Sequence, residues 1–214
     1  MSVPVQYGSS LPRNSSAASA PQGPPAAPES PPNHFELQRR PLTAEEADQI
    51  TRSIRDSPNI TGYSPREWCG RRDTFVLVDR SRRRIAGALL THHLAGTWSE
   101  IAVVFLFEEY RGRGLGRELL QGALRTLTAT GRRYLLFFSS PHMERIASAS
   151  GFRIYADEAA FVAGSARRKL FLKVIYKAQW LASVYRLREI RRKRAEFSSA
   201  FDFKVGVLTT GGAK

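Results

Sequence analysis

Seven consecutive residues, Arg111-Gly112-Arg113-Gly114-Leu115-Gly116-Arg117, are chemically the most informative stretch of this chain. They follow an apolar, strand-like run and open a segment of helical periodicity. The first N–H groups of a helix have no partners within the helix. Glycine lets the main chain come close to a ligand. A turn of this make-up presents free amides, the positive end of a helix dipole and three guanidinium groups to an anion, and a pyrophosphate suits it. A glycine-rich turn alone would serve equally as a plain strand-to-helix connection. A dinucleotide-binding GxGxxG site is a poor match, because the preceding strands read as antiparallel and the turn comes late.

Glu100 stands eleven residues before Arg111, in Trp98-Ser99-Glu100-Ile101. A carboxylate held in an apolar strand resists ionisation, so its pKa rises toward neutrality and it becomes fit to take a proton from an ammonium. The plain alternative is a charge facing solvent from a strand edge. His92 and His93 are adjacent on the preceding strand and face opposite sides of the sheet. One of them could line a groove near Glu100, although a packed or surface histidine is the commoner case. No spacing of His, Cys, Asp and Glu implies a metal, and no nucleophile elbow is present.

These residues need a framework to hold them. His34–Arg40 reads as a strand. Thr43 with Glu46 reads as a capping box opening a helix, and Ser64-Pro65 as the start of a short second helix. Thr74–Val78, Ile85–Leu94 and Trp98–Phe107 read as strands. Leu115, Leu119, Gly122 or Ala123, and Leu127 give one face of a helix that ends at Gly131. Tyr134–Phe138 is a buried strand, Pro141–Ser150 a helix stopped by Gly151, and Phe152–Tyr155 with Ala159–Ala163 a closing strand pair. The alternation predicts an α/β (α+β) domain with a mixed, mostly antiparallel sheet flanked by helices.

With the turn and the element order in hand, the chain resembles a known family. Arg111-x-x-Gly114-x-Gly116 fits the Q/R-x-x-G-x-G/A signature of GNAT acetyltransferases, and the resemblance runs from about His34 to Ala163. It implies acetyl-CoA as co-substrate, with no metal. The pyrophosphate would lie on the amides of Arg111, Gly112, Arg113, Gly114, Leu115, Gly116 and Arg117. The pantetheine arm would lie along Val104, Phe105 and Leu106 at a splayed strand end. In the histone-acetyltransferase branch a general-base glutamate stands eleven residues before the signature, where Glu100 stands here. Two positions depart from the family. Ala147 occupies the place of the usual tyrosine acid, and Ser140 replaces a helix-start asparagine. Tyr155, Ser139 and His142 are substitutes to consider.

Composition bounds the rest. Cys69 is the only cysteine, so no internal disulfide forms and a reducing, cytoplasmic setting is expected. The net charge of +14 is uneven, because residues 165–214 hold all six lysines and contribute +10. Residues 1–33 hold eight of the twelve prolines and are expected to be disordered; residues 34–164 read as the globular domain, which the resemblance implies is the acetyltransferase domain. From Ser165 to about Phe197 the chain reads as one basic amphipathic helix with a stripe of Phe171, Val174, Ala178, Leu181 and Tyr185, with a strand at Leu170–Tyr176 competing. That helix would dock to an anionic membrane, nucleic acid or a protein assembly, or its stripe, with Trp180 beside it, would pack on the domain or on a second copy in a homodimer. Two functions are open: an N-acetyltransferase acting on an unidentified primary amine, small molecule or protein, and a weakly catalytic module that works through its basic helix.

Overall fold

The computed structural model describes residues 34–58, 60, 62–178, 183–197 and 203–210. The disorder expected for residues 1–33, and Trp180 and Leu181 of the stripe, lie outside these.

Local signals set the first helices. Thr43 Oγ1 accepts from the Glu46 N–H at 3.2 Å and the Glu46 carboxylate accepts from the Thr43 N–H at 2.8 Å, a complete capping box at α1 (Ala44–Arg55). Ser64 and Glu67 repeat it at α2 (Pro65–Gly70), with Pro65 in the first turn. The helix after the glycine turn is α3 (Leu115–Leu127), and α4 (Pro141–Ala149) comes next.

Among the described residues seven strands form one sheet: β1 (Phe35–Arg39), β2 (Thr74–Asp79), β3 (Arg84–His93), β4 (Trp98–Leu106), β5 (Arg133–Phe138), β6 (Arg153–Tyr155) and β7 (Lys204–Thr209), in the order β1-β2-β3-β4-β5-β7-β6. Among the described residues only β4 and β5 pair in parallel. Alternation along the strands divides the core in two. Phe75 and Leu77 join Leu119, Ala123 and Leu127 of α3, whereas Val76, Ala88 and Leu90 meet Ile50 and Ile54 of α1 with Trp68 of α2.

The C-terminal part departs most from expectation. Residues 159–163 do not form a strand. Asp157 accepts from the Ala160 N–H at 2.6 Å and caps a helix instead, α5 (Glu158–Val162). The place beside β6 is taken by β7, which inserts between β5 and β6. Residues 165–197 are not one helix either. They run as α6 (Ala166–Leu170), a π-helical turn at Phe171–Tyr176, and a new helix α7 (Val184–Glu196) capped by Ser183. Among the described residues of the expected stripe only Phe171 is core: it is buried with Leu172, Tyr176, Leu135 of β5, Phe161 of α5 and Val205 of β7, whereas Val174 and Ala178 are exposed and Tyr185 is half-buried. The 165–214 segment therefore completes the sheet rather than trailing from it. Its sequence hid this because β7 is a short run of Val and Gly that shows no partner until β5 and β6 stand on either side.

Candidate functional site

The site begins where the sheet opens. Parallel pairing of β4 with β5 runs from Trp98↔Arg133 to Ile101↔Leu136 and stops, leaving Ala102–Leu106 without a β5 neighbour. On its other side β4 pairs Thr91↔Ile101 and then Leu90↔Val103, so Ala102 is an extra, bulged residue. A bulge bends its strand and re-aims the residues beyond it. The bent strand passes so close to β3 that a Cβ on Gly87 would lie 2.2 Å from the Phe105 carbonyl oxygen, which accounts for glycine there. The Phe107 N–H donates to Ala86 O at 3.0 Å. Alternation then turns the N–H groups of Val104 and Leu106 the other way, toward the gap that β5 leaves. A cavity of about 790 Å³ occupies that gap.

The glycine turn forms one wall of the same cavity. Gly112 and Gly114 have φ of 76° and 78°, left-handed values that favour glycine. Gly114 is the N-cap of α3 and no side chain caps the helix start, so its first amides are available to an anion. Arg111 Nε donates to the Leu106 carbonyl at 3.2 Å and ties turn to strand. Arg111, Gly112, Gly114, Leu115 and Gly116 line the cavity with Val104, Phe105 and Leu106. Arg113 and Arg117 are not among its lining residues, and the Arg113 guanidinium lies 6.0 Å from the Tyr110 ring centre.

Glu100 lines the same cavity and is 5 % exposed. Burial pushes its carboxyl up to about 7, against the opposing pull of a hydrogen bond from Tyr176 and the field of Arg186. Tyr176 Oη donates to Glu100 Oε1 at 2.8 Å. His92 is Glu100's partner across the β3–β4 ladder, and burial, with Arg71 and Arg186 nearby, lowers its pKa to about 4. It is therefore neutral at physiological pH. His93 is committed elsewhere, with Nδ1 2.9 Å from Ser99 Oγ and Nε2 3.0 Å from Asp73.

Of the substitute acids, Ser139 and His142 line the cavity. Tyr155 does not; its hydroxyl accepts from Arg168 at 3.3 Å and its ring meets Phe161 edge-on. Ala147, at the position where the family carries tyrosine, is fully buried. Sequence reasoning missed Tyr176 and Arg186. No spacing signal joins residue 176 to residue 100, because the π-helical turn that carries Tyr176 is placed by tertiary packing, with Phe171 stacked on Trp98 and Tyr176 on Phe137. Among the described residues no group of His, Cys, Asp and Glu could hold a metal, and no helix is long and apolar enough to cross a membrane.

Comparison with known proteins bears on the fold and the family. A search of curated proteins returned no match. Solved structures share the fold. A Mycobacterium tuberculosis protein, Rv2747, solved with CoA and NLQ, superposes with a TM-score of 0.57 at 12 % identity, covering 81 % of this chain and 98 % of its own. N-acetylglutamate synthase from Neisseria gonorrhoeae, solved with coenzyme A and N-acetyl-glutamate, gives 0.54 at 12 % identity over 83 % of this chain. The present chain spans only 35 % of that longer protein. Ribosomal-protein-S5-alanine acetyltransferase from Vibrio fischeri gives 0.51 at 14 % identity, covering 85 % of this chain and 96 % of its own. The model of the acetyltransferase (GNAT) family matches residues 38–149, more than half of the chain, and the protein belongs to that family.

Proposed function

We propose that the protein is an N-acetyltransferase that moves the acetyl group of acetyl-CoA to a primary amine by direct attack. One observation carries this reading: Glu100 and the glycine turn open into a single cavity along the unpaired stretch of β4. The residues present suit the co-substrate. The uncapped start of α3 with Gly112 and Gly114 fits a pyrophosphate, and the outward N–H of Val104 fits a carbonyl of a pantetheine arm.

In this reading Glu100 takes one proton from the acceptor ammonium, leaving a neutral amine. The nitrogen attacks the thioester carbonyl carbon as a C–N bond forms, and the Leu106 N–H donates to the developing oxyanion. Collapse breaks the C–S bond. The nitrogen sheds its second proton and the departing thiolate gains one, so the products are an amide, the free thiol and one proton released. Tyr176 holds Oε1 of Glu100, which leaves Oε2 to serve the acceptor.

The test is calorimetry with acetyl-CoA followed by free-thiol release against a panel of amines and peptides. Micromolar binding with amine-dependent thiol release is expected; absence of acetyl-CoA binding overturns the assignment. The other reading, a module that docks through its basic C-terminal helix, is weakened because Phe171 and Tyr176 lie in the core and Arg186 and Lys193 are buried.

A further inference from the structure

Burial of Phe171, Leu172 and Tyr176 commits one face of the helix that runs through α6 and the π-helical turn, and leaves the opposite face exposed. Leu170 and Val174, four residues apart and so on one side of the helix, are 63 % and 54 % exposed. With Val184 at the start of α7 they are the exposed large apolar residues of the described chain, and all three belong to the segment between β6 and β7.

Around that apolar pair the charge has one sign. Residues 166–177 carry Arg167, Arg168, Lys169, Lys173 and Lys177 and no acidic residue. Lys177 and Arg168 are engaged: Lys177 Nζ lies 3.9 Å from the Glu158 carboxylate, and Arg168 donates to Tyr155 Oη and Phe161 O, both at 3.3 Å. Arg167, Lys169 and Lys173 are exposed, and among the described residues no carboxylate pairs with them. The positive balance continues at the helix start. A cavity of about 270 Å³ is lined there by Arg133, Arg167 and Arg168 with Trp98 and Phe171, and no carboxylate lines it. Arg133 lies over the Trp98 ring at 5.5 Å, so its guanidinium is placed rather than ranging through solvent.

Apolar side chains ringed by cations that have no acidic partner call for a surface that is apolar and anionic at once. A nucleic acid would use the cations and gain nothing from Leu170 and Val174. An anionic bilayer uses both, since the apolar side chains enter the acyl boundary while the cations stay among the headgroup phosphates.

We propose that this face, from Arg167 to Val174, docks the protein on an anionic phospholipid surface. Leu170 and Val174 insert, and headgroup phosphates sit on Arg167, Lys169 and Lys173, with Arg133 at the helix start. None of these residues lines the cavity that contains Glu100, so the proposal stands apart from the acetyl-transfer reading.

The experiment is flotation of the full chain with vesicles of phosphatidylcholine alone and of an equal mixture of phosphatidylcholine and phosphatidylglycerol, at low and high salt. Binding to a duplex oligonucleotide is measured beside it. Binding to the mixed vesicles that weakens with salt, and none to phosphatidylcholine alone, is expected. Each basic residue at such a surface is worth about fivefold in partitioning, so the triple variant Arg167→Gln, Lys169→Gln, Lys173→Gln should lose about 100-fold. The double variant Leu170→Gln, Val174→Gln keeps every charge and should still lose about tenfold on vesicles, with no change toward the oligonucleotide. All five positions are exposed, so both variants should keep the thermal melt of the wild type. No binding to the mixed vesicles, equal binding to phosphatidylcholine alone, or either folded variant binding like wild type would each overturn the proposal. Tighter binding to the oligonucleotide than to vesicles would overturn it in favour of a nucleic acid. Loss of vesicle binding in millimolar glycerol phosphate would overturn it in favour of a soluble phosphate.

Discussion

Replacing Glu100 by Gln should make the protein more stable at alkaline pH while it stops turning over. The carboxyl is fully buried and its pKa stands at about 7 against an ordinary 4.5. A carboxyl whose pKa is raised on folding holds its proton more tightly in the folded state. It favours folding below the unfolded value of 4.5, and that advantage is lost as pH rises through about 7. The difference corresponds to about 300-fold in proton affinity, or about 3 kcal/mol. Glutamine keeps the shape and can still accept from Tyr176 Oη, yet carries no charge to desolvate. Urea denaturation of wild type and Glu100→Gln at pH 5 and pH 8 measures this. The stability gap in favour of the variant should grow by about 2–3 kcal/mol between the two pH values. Turnover at neutral pH should fall by roughly 10²–10⁴ with acetyl-CoA binding intact. Parallel stability curves at both pH values would mean that the carboxylate is solvated, and the argument for a desolvated base would fall.

Three further perturbations probe the same geometry. Gly114→Glu puts a side chain at a φ of 78° and a negative charge at the start of α3, so acetyl-CoA affinity should fall at least about 100-fold while the circular dichroism spectrum is kept; a Kd within threefold of wild type would remove the turn from the cofactor site. Tyr176→Phe deletes the hydrogen bond that draws the Glu100 pKa down, so the acid limb of the kcat/KM profile should move to higher pH with acetyl-CoA binding unchanged, and an unmoved limb would dissociate Tyr176 from the base. Truncation after residue 164 removes β7 from between β5 and β6 and strips Leu135 and Phe161 of core partners, so the product should not fold; a soluble truncated domain that binds acetyl-CoA would contradict the sheet order.

Much of this protein was legible in its sequence because the signals were local. Thr43 with Glu46 is a capping box written within four residues, and Ser64-Pro65 marks an N-cap with proline in the first turn. The α3 stripe of Leu115, Leu119, Ala123 and Leu127 needs only helical periodicity to be seen, and Gly112 and Gly114 mark a turn whose positive φ few other residues adopt. Glu100 was brought out by the resemblance to the histone-acetyltransferase branch, whose glutamate stands eleven residues before the signature, as Glu100 stands before Arg111. What sequence did not disclose is what long-range packing decides. Whether Glu100 faced solvent or an apolar interior depended on β5, on the bulge at Ala102 and on Tyr176, which is 76 residues away along the chain. The apolar positions after Ser165 did not show which of them would meet the sheet: Phe171 of the expected stripe is buried and Val174 is exposed, because periodicity does not record what covers a face. Lys193 read as one of the six lysines of residues 165–214, and only the carbonyls of Ile54, Ser57 and Ile60 made it a buried clamp. The fate of residues 165–214 was settled by β7: a strand has no stable existence until its neighbours supply hydrogen bonds, and those neighbours were assembled only in three dimensions.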